Sequence, residues 1–302
     1  MIAYLHLLGS ITVPIVIICA CGTLLQRFRP VDTKLLADIS LYILAPALIL
    51  SALAESHLGG ADFLSICLFT VVMTALLWLL ALGSGKLLRL PEKKSRALTL
   101  TTLFSNANNY GLPVLLLAFG RTGFALGAVY VVGQIALVNI LGMYLAARAQ
   151  LSARQALSHL LKTPLIYACA AGLLMNGLQL RIPAGGATAL HMLGNAYPVL
   201  VLLILGIKLG QTGRTGVARP EVWIGIALRI ACVPLIAKAV LIVLGVHGLL
   251  ASVLFIEISM PAAINTVMLT EKFSGDTEMV SLIVTMTTLL SFLYLPLLIA
   301  IG

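Results

Sequence analysis

The sequence predicts an all-α integral membrane protein of ten transmembrane helices, built as a 5+5 inverted repeat in which helices 4 and 9 are broken and cross. Three observations carry this: a composition that no water-soluble core could hide, basic residues confined to alternate loops, and proline- and glycine-interrupted spans at matching places in the two halves.

Composition sets the class. Of 302 residues, 61% are hydrophobic and 10% are charged, where soluble domains carry about 25% charged residues. A membrane accepts such a chain if each segment satisfies its own backbone polar groups. A membrane β-barrel would alternate apolar and polar residues in runs of about ten. Here the runs are long and unalternated, as in Ile11–Leu25 and Phe63–Leu82, so they read as helices. The net charge of +9 does not imply nucleic acid, because the basic residues sit in short gaps between apolar runs without interleaved aromatics. The five cysteines (Cys19, Cys21, Cys67, Cys169, Cys232) all lie inside apolar runs and read as small hydrophobes rather than disulfides or metal ligands. The first apolar run lacks a positive n-region and a convincing cleavage site, so it is expected to remain as the first span.

A span needs about 20 apolar residues. The expected spans are 7–26, 34–54, 63–88, 97–119, 122–147, 162–180, 187–210, 221–245, 249–271 and 277–301. Pro91–Arg96 and Gln150–Lys162 are polar enough to begin as surface helices. Fifteen of the 19 Lys and Arg residues fall in loops 1–2, 3–4, 5–6, 7–8 and 9–10, while only Arg121 and Arg181 fall in the opposite loops. Cytoplasmic loops concentrate Lys and Arg, which places both termini outside and the protein in the cell (inner or plasma) membrane as a multi-pass chain.

The halves, 1–150 and 151–302, are related. Pro14 and Pro164, Gly22 and Gly172, Pro46 and Pro198, and Pro113 and Pro261 are separated by 148 to 152 residues. Five spans is an odd number, so the second half enters the membrane from the opposite side. That architecture serves alternating access in secondary transporters. Interrupted spans at corresponding positions point to the binding site of such a protein. Span four holds Ser105, Asn106, Asn108, Asn109, Gly111 and Pro113, and span nine holds Glu257, Ser259, Pro261 and Asn265. A helix broken in mid-membrane exposes N–H groups that attract anions and carbonyls that attract cations. Asparagine amides add neutral donors and acceptors. Such a site suits a small carboxylate and has a place for a coupling cation.

At these residues the chain resembles the auxin efflux carrier family of membrane transporters, which includes bacterial malate and malonate carriers and plant auxin exporters. Asn106, Gly111 and Pro113 resemble that family's span-four pattern, and Met260-Pro261 its span-nine crossover. The stretches Glu271–Ser281 and Thr285–Ser291, followed by Pro296, resemble its last loop and span. The resemblance implies a fold like sodium/bile-acid symporters and sodium/proton antiporters. It implies a scaffold of spans 1, 2, 6 and 7, a transport domain of spans 3–5 and 8–10, a homodimer, and elevator motion. Ala262 stands where plant members carry a polar residue.

The expected substrate-binding residues are Asn106, Asn109, Gly111, Pro113, Pro261, Ala262 and Asn265. Lys238 and Glu257 each lie about 14 Å below the turn near His247 at 1.5 Å per residue, so they are expected to form an ion pair or share a proton as the coupling element. The proline spacing maps Glu257 onto Asn109. Arg229, about 12 Å into span eight, is expected to snorkel to the cytoplasm, the other reading being direct contact with substrate. The leading function is a secondary carrier of small organic anions such as mono- or dicarboxylates; the alternative is a cation/proton antiporter on the same fold. No cofactor or metal is expected beyond Na⁺ or H⁺ as coupling ion. The scattered histidines and the lack of His-Glu-x-x-His or Gly-x-Ser-x-Gly argue against an enzyme.

Overall fold

The computed structural model describes residues 8–56, 58–137, 161–211, 219–272 and 275–301. Among them every regular element is helical, and the β-type pairing is an isolated antiparallel bridge between Ser105 and Ala262. The helices are α1 (Leu8–Phe28), α2 (Thr33–Ala54), α3 (Gly60–Leu87), α4 (Glu92–Leu103), α5 (Ala107–Leu137), α6 (Pro164–Gly177), α7 (Ala184–Gln211), α8 (Pro220–Val243), α9 (Gly248–Ile258), α10 (Asn265–Lys272) and α11 (Thr277–Ile301). Seven of these (α1, α2, α3, α5, α7, α8 and α11) are long and apolar enough to cross a membrane, and α6 and α9 are shorter apolar helices.

Predicted span four is divided between α4 and the start of α5, and predicted span nine between α9 and α10. Where spans four and five should part, Gly120 interrupts α5 with φ +64° and ψ −160°. That backbone is open to glycine and strained for a residue with a Cβ. The segment expected to begin as a surface helix, Pro91–Arg96, forms the start of α4, whose first residue is Glu92. Arg148, Arg154, Arg214 and most of 150–162 lie outside the described residues.

Prolines shape four of the helices by one device. Pro14, Pro46, Pro113 and Pro234 each stand two residues after a widened π turn, at Leu8–Thr12, Ser40–Leu44, Ala107–Gly111 and Leu228–Cys232. Proline lacks an N–H and its ring clashes with the carbonyl four residues back. Bonds to the fifth residue back, such as Gly111 N–H to the Asn106 carbonyl at 3.0 Å, widen the turn that leads into each proline.

Association of helices in lipid relies on close packing, since lipid is as apolar as leucine. α1 lies along α7 with backbones in contact: a Cβ on Gly22 would come 2.2 Å from the Leu203 carbonyl oxygen, and one on Gly206 1.9 Å from that of Cys19. α2 packs on α6 and α7. Ile17, Leu79, Leu87, Leu235 and Val243 stay exposed on the outer surface, as lipid-facing side chains do. Phe69, Tyr110, Phe124, Tyr130 and Tyr197 fill the interior.

Candidate substrate site at the helix crossing

Two helix ends meet inside the molecule. α4 stops at Leu103 and the chain runs extended to Asn106; α9 stops at Ile258 and regular helix resumes at Asn265. Buried backbone polar groups must find partners, and here each break pairs with the other. Ala263 N–H donates to the Phe104 carbonyl at 2.9 Å, and Asn106 N–H donates to the Pro261 carbonyl at 2.8 Å. An extended segment has a second edge, facing the other way. On the first break that edge belongs to Ser105, and Gln134 of α5 covers it. With its amide oriented to match donors with acceptors, Gln134 Nε2 donates to the Ser105 carbonyl at 3.0 Å, while its oxygen accepts from Ser105 N–H at 3.2 Å and Oγ at 2.6 Å. On the second break Ala262 N–H donates to Thr287 Oγ1 of α11 at 3.2 Å. Tyr294 O–H donates to the Ser259 carbonyl at 3.0 Å.

Arg229 completes this accounting and corrects the snorkelling expectation. It stands on the π turn before Pro234 and is fully buried. Its Nε donates to the Met260 carbonyl at 2.8 Å, Nη1 to that of Thr102 at 2.7 Å and Nη2 to that of Ile258 at 2.6 Å. These carbonyls stand at the C-terminal ends of α4 and α9, which helix termination leaves without intrahelical donors. Charged hydrogen bonds are worth about 1.5–3 kcal/mol each, and three of them, with the dipoles of two helix ends, offset the burial of the cation. A snorkelling side chain would have abandoned those carbonyls.

A cavity of 690 Å³ opens beside the crossing. Ser105, Asn106, Asn108, Asn109 and Gln134 line it from the first half, and Ala263, Asn265, Thr266 and Glu271 from the second, with Leu41, Val131 and Met268 among its apolar walls. It therefore faces the starts of α5 and α10, the ends where helical N–H groups are free. Asn106 is 3% exposed and its Nδ2 has no hydrogen-bond partner among the described residues. Tyr197 O–H of α7 donates to the Asn108 carbonyl at 2.6 Å and reaches Asn108 Oδ1 at 3.2 Å, and Asn108 Nδ2 donates to Asn109 Oδ1 at 3.1 Å. That relay fixes both carboxamides.

Glu257 and Lys238 do not form the expected ion pair. Lys238 is exposed, with Nζ 3.4 Å from the Ile301 carbonyl and 5.4 Å from the centre of the Phe255 ring. Phe255 and Glu257 are two residues apart, so they point about 160° apart around α9. Equal depth did not mean a shared face. Glu257 instead turns inward, fully buried, and neither carboxylate oxygen has a hydrogen-bond partner among the described residues. Two glycines of α5 make room for it: a Cβ on Gly111 would lie 2.2 Å from Oε2, and one on Gly127 3.0 Å from Oε1.

Of the expected substrate residues, Asn106, Asn109 and Asn265 line the cavity. Gly111, Pro113, Pro261 and Ala262 are buried outside its lining. Gly111 clears space for Glu257, and Pro113 follows the π turn that carries the asparagines. Pro261 and Ala262 contribute backbone to the bridge. The bridge also matches Ser105 with Ala262, so Pro261 belongs to its break whereas Pro113 lies beyond its own. Gln134 was not anticipated; its signal was a lone amide in the apolar run from Val131 to Leu137.

Charged clusters tie the helix ends. Arg121, just after Gly120, bonds Glu55 at 2.8 Å and also His191, whose Nε2 lies 2.9 Å from Glu55. Lys94 pairs with Glu221, and Arg219 pairs with Asp276 at 2.6 Å and Glu278 at 3.2 Å. Burial pushes the Asp276 carboxyl up, but hydrogen bonds from Arg219 and the Met279 N–H outweigh it and hold the group below its ordinary range.

Long apolar helices, with a cavity bearing amide side chains where two of the described helices break, are the architecture expected of a membrane transporter. The comparisons agree: the family described as "Membrane transport protein" matches residues 10–299, and the chain belongs to it, the auxin efflux carrier family. An uncharacterized transporter of Methanothermobacter thermautotrophicus is 28% identical over 274 residues, covering 88% of each chain. One of Methanocaldococcus jannaschii is 25% identical over 274 residues, covering 87% of this chain and 88% of its own.

Proposed function

We propose that the protein is a secondary active carrier of small organic anions such as mono- or dicarboxylates, bound where predicted spans four and nine cross. The carrying observation is the Asn106 carboxamide: a buried donor without a partner among the described residues, on a residue that lines a cavity at the starts of two helices. An unpaired buried donor costs free energy, and a carboxylate oxygen is the partner that both the amide and the helix starts favour. Asn109, held by Asn108 and Tyr197, supplies a second amide. Glu257 is the coupling residue, taking up a cation or a proton behind Gly111. The cation antiporter reading draws support from Glu257, yet the polar side chains of the cavity wall are mostly amides and hydroxyls, with Glu271 the carboxylate among them.

In this reading the chain forms ten spans in two inverted fives, with both termini outside, in the cell membrane. Spans 1, 2, 6 and 7 serve as the scaffold of a homodimer, and the remaining spans move as an elevator. The cavity reaches Thr163 and Glu271, the predicted cytoplasmic ends. Arg121, Glu55 and His191 latch the predicted outer side. The conformation is thus open to the cytoplasm.

The test is uptake of labelled mono- and dicarboxylates into proteoliposomes under imposed pH or Na⁺ gradients, with thermal-shift protection by the same compounds. At least one anion is expected to move and to protect. If none does either, the reading is wrong.

A further inference from the structure

The C-terminal ends of broken membrane helices attract cations, and in carriers of this architecture unwound carbonyls and such ends coordinate the coupling sodium ion. Here both C-terminal ends at the crossing are already bonded to one side chain. The Arg229 guanidinium reaches Thr102 at the end of α4 and both Ile258 and Met260 at the end of α9, at 2.6–2.8 Å. Neighbouring carbonyls are occupied too: Phe104 by Ala263 N–H, Pro261 by Asn106 N–H, and Ser259 by Tyr294 O–H. A sodium ion binds by gathering several oxygens, and here a guanidinium cation already stands among them.

We propose that Arg229 is the built-in cation of the crossing, filling the place between the two helix ends that a coupling sodium ion would otherwise occupy, so that the carrier works without sodium. The inference deepens the carrier reading and rests on it for its transport consequence. A covalently held cation cannot leave during the cycle. It therefore keeps the crossing positive whether or not substrate is bound, which suits an anion, and leaves Glu257 to exchange a proton. Arg229 is a positioning residue: it acts through the two breaks, and the substrate meets Asn106 and Asn109.

The experiment compares purified wild type with Arg229→Ala, Arg229→Lys and Arg229→Gln, reading melting temperature and proteoliposome uptake in NaCl and in choline chloride of equal ionic strength. Wild type is expected to melt and transport alike in both salts. Arg229→Ala should melt lower in choline and recover in part with Na⁺ or millimolar guanidinium, neither of which shifts wild type. If Arg229→Ala cannot be purified, the other pair decides: Arg229→Lys should keep most of its uptake and Arg229→Gln should lose at least about tenfold. Stabilisation of wild type by Na⁺, an Arg229→Ala protein as stable as wild type, or equal behaviour of the Lys and Gln variants would overturn the proposal. Cation rescue of stability without uptake of any anion would sink the carrier reading while leaving the built-in cation standing.

Discussion

The two breaks that meet at the crossing do different work. The first, at 104–111, presents polar side chains: Asn106, Asn108 and Asn109 line the cavity, and a π turn before Pro113 carries the last two. The second, at 259–264, is buried throughout, and apart from Ser259 its side chains are apolar. It contributes backbone to the bridge, carbonyls to Arg229, and the hidden carboxyl of Glu257 just before it. Both breaks solve the same backbone problem with a side chain from the next long helix, Gln134 on one side and Thr287 on the other. A shared scaffold can therefore divide its labour, with recognition in one half and charge in the other.

That division is open to attack at several points. The largest effect is expected from Glu257→Gln, which keeps shape and removes the titrating group. Proton-driven uptake should vanish while the melting temperature stays or rises, since a buried unpaired acid no longer has to be accommodated. Uptake with unaltered pH dependence in that variant would remove coupling from the second half. Asn106→Ala comes next. Losing a hydrogen bond to a charged partner costs about 1.5–3 kcal/mol, which is roughly a 10- to 150-fold loss of affinity, measured as a rise in KM or loss of thermal protection. Asn265→Ala should cost much less, because Asn265 is exposed at the start of α10. An equal loss in both variants would mean that the halves share recognition.

Gln134→Ala tests the backbone argument. It strands the N–H and carbonyl of Ser105, so stability should fall by about 1–3 kcal/mol, seen as a lower melting temperature in detergent. The smallest effect concerns the Arg219–Asp276 clamp. Because the Asp276 carboxyl is held below its ordinary range, its contribution is complete above that range and fades as pH falls through the lowered value. Asp276→Asn should flatten that acid-side loss of melting temperature, because it lowers the melting temperature slightly at neutral pH and leaves it unchanged in acid. An unchanged acid profile would show that the clamp contributes nothing measurable.

Much of the fold was legible in the chain. Apolar runs such as Phe63–Leu82 announced helices because lipid leaves the backbone no other partner, and α3 spans that run. The asparagines and Pro261 marked the breaks, because three amides in one apolar span have to face something polar. Depth along a helix could be counted, which is why Lys238 and Glu257 were expected level with one another; facing could not, because about 100° of rotation per residue separates neighbours and only packing chooses which side looks inward. The same limit hid Arg229. Its position in the sequence fits a snorkelling end as well as a buried clamp, and only the meeting of α4 with α9 supplies the three carbonyls that hold it.

The sequence by itself determined the solvent, the helices and the places where they break, since each follows from local chemistry: apolar length, proline's missing donor, glycine's freedom. Tertiary structure decided what the breaks are for. Which carbonyls a guanidinium satisfies, which amide is left with an unpaired donor beside a cavity, and which carboxyl is enclosed between two glycines all depend on contacts between residues distant in the chain. No periodicity encodes those contacts, because they arise only when two interrupted helices cross.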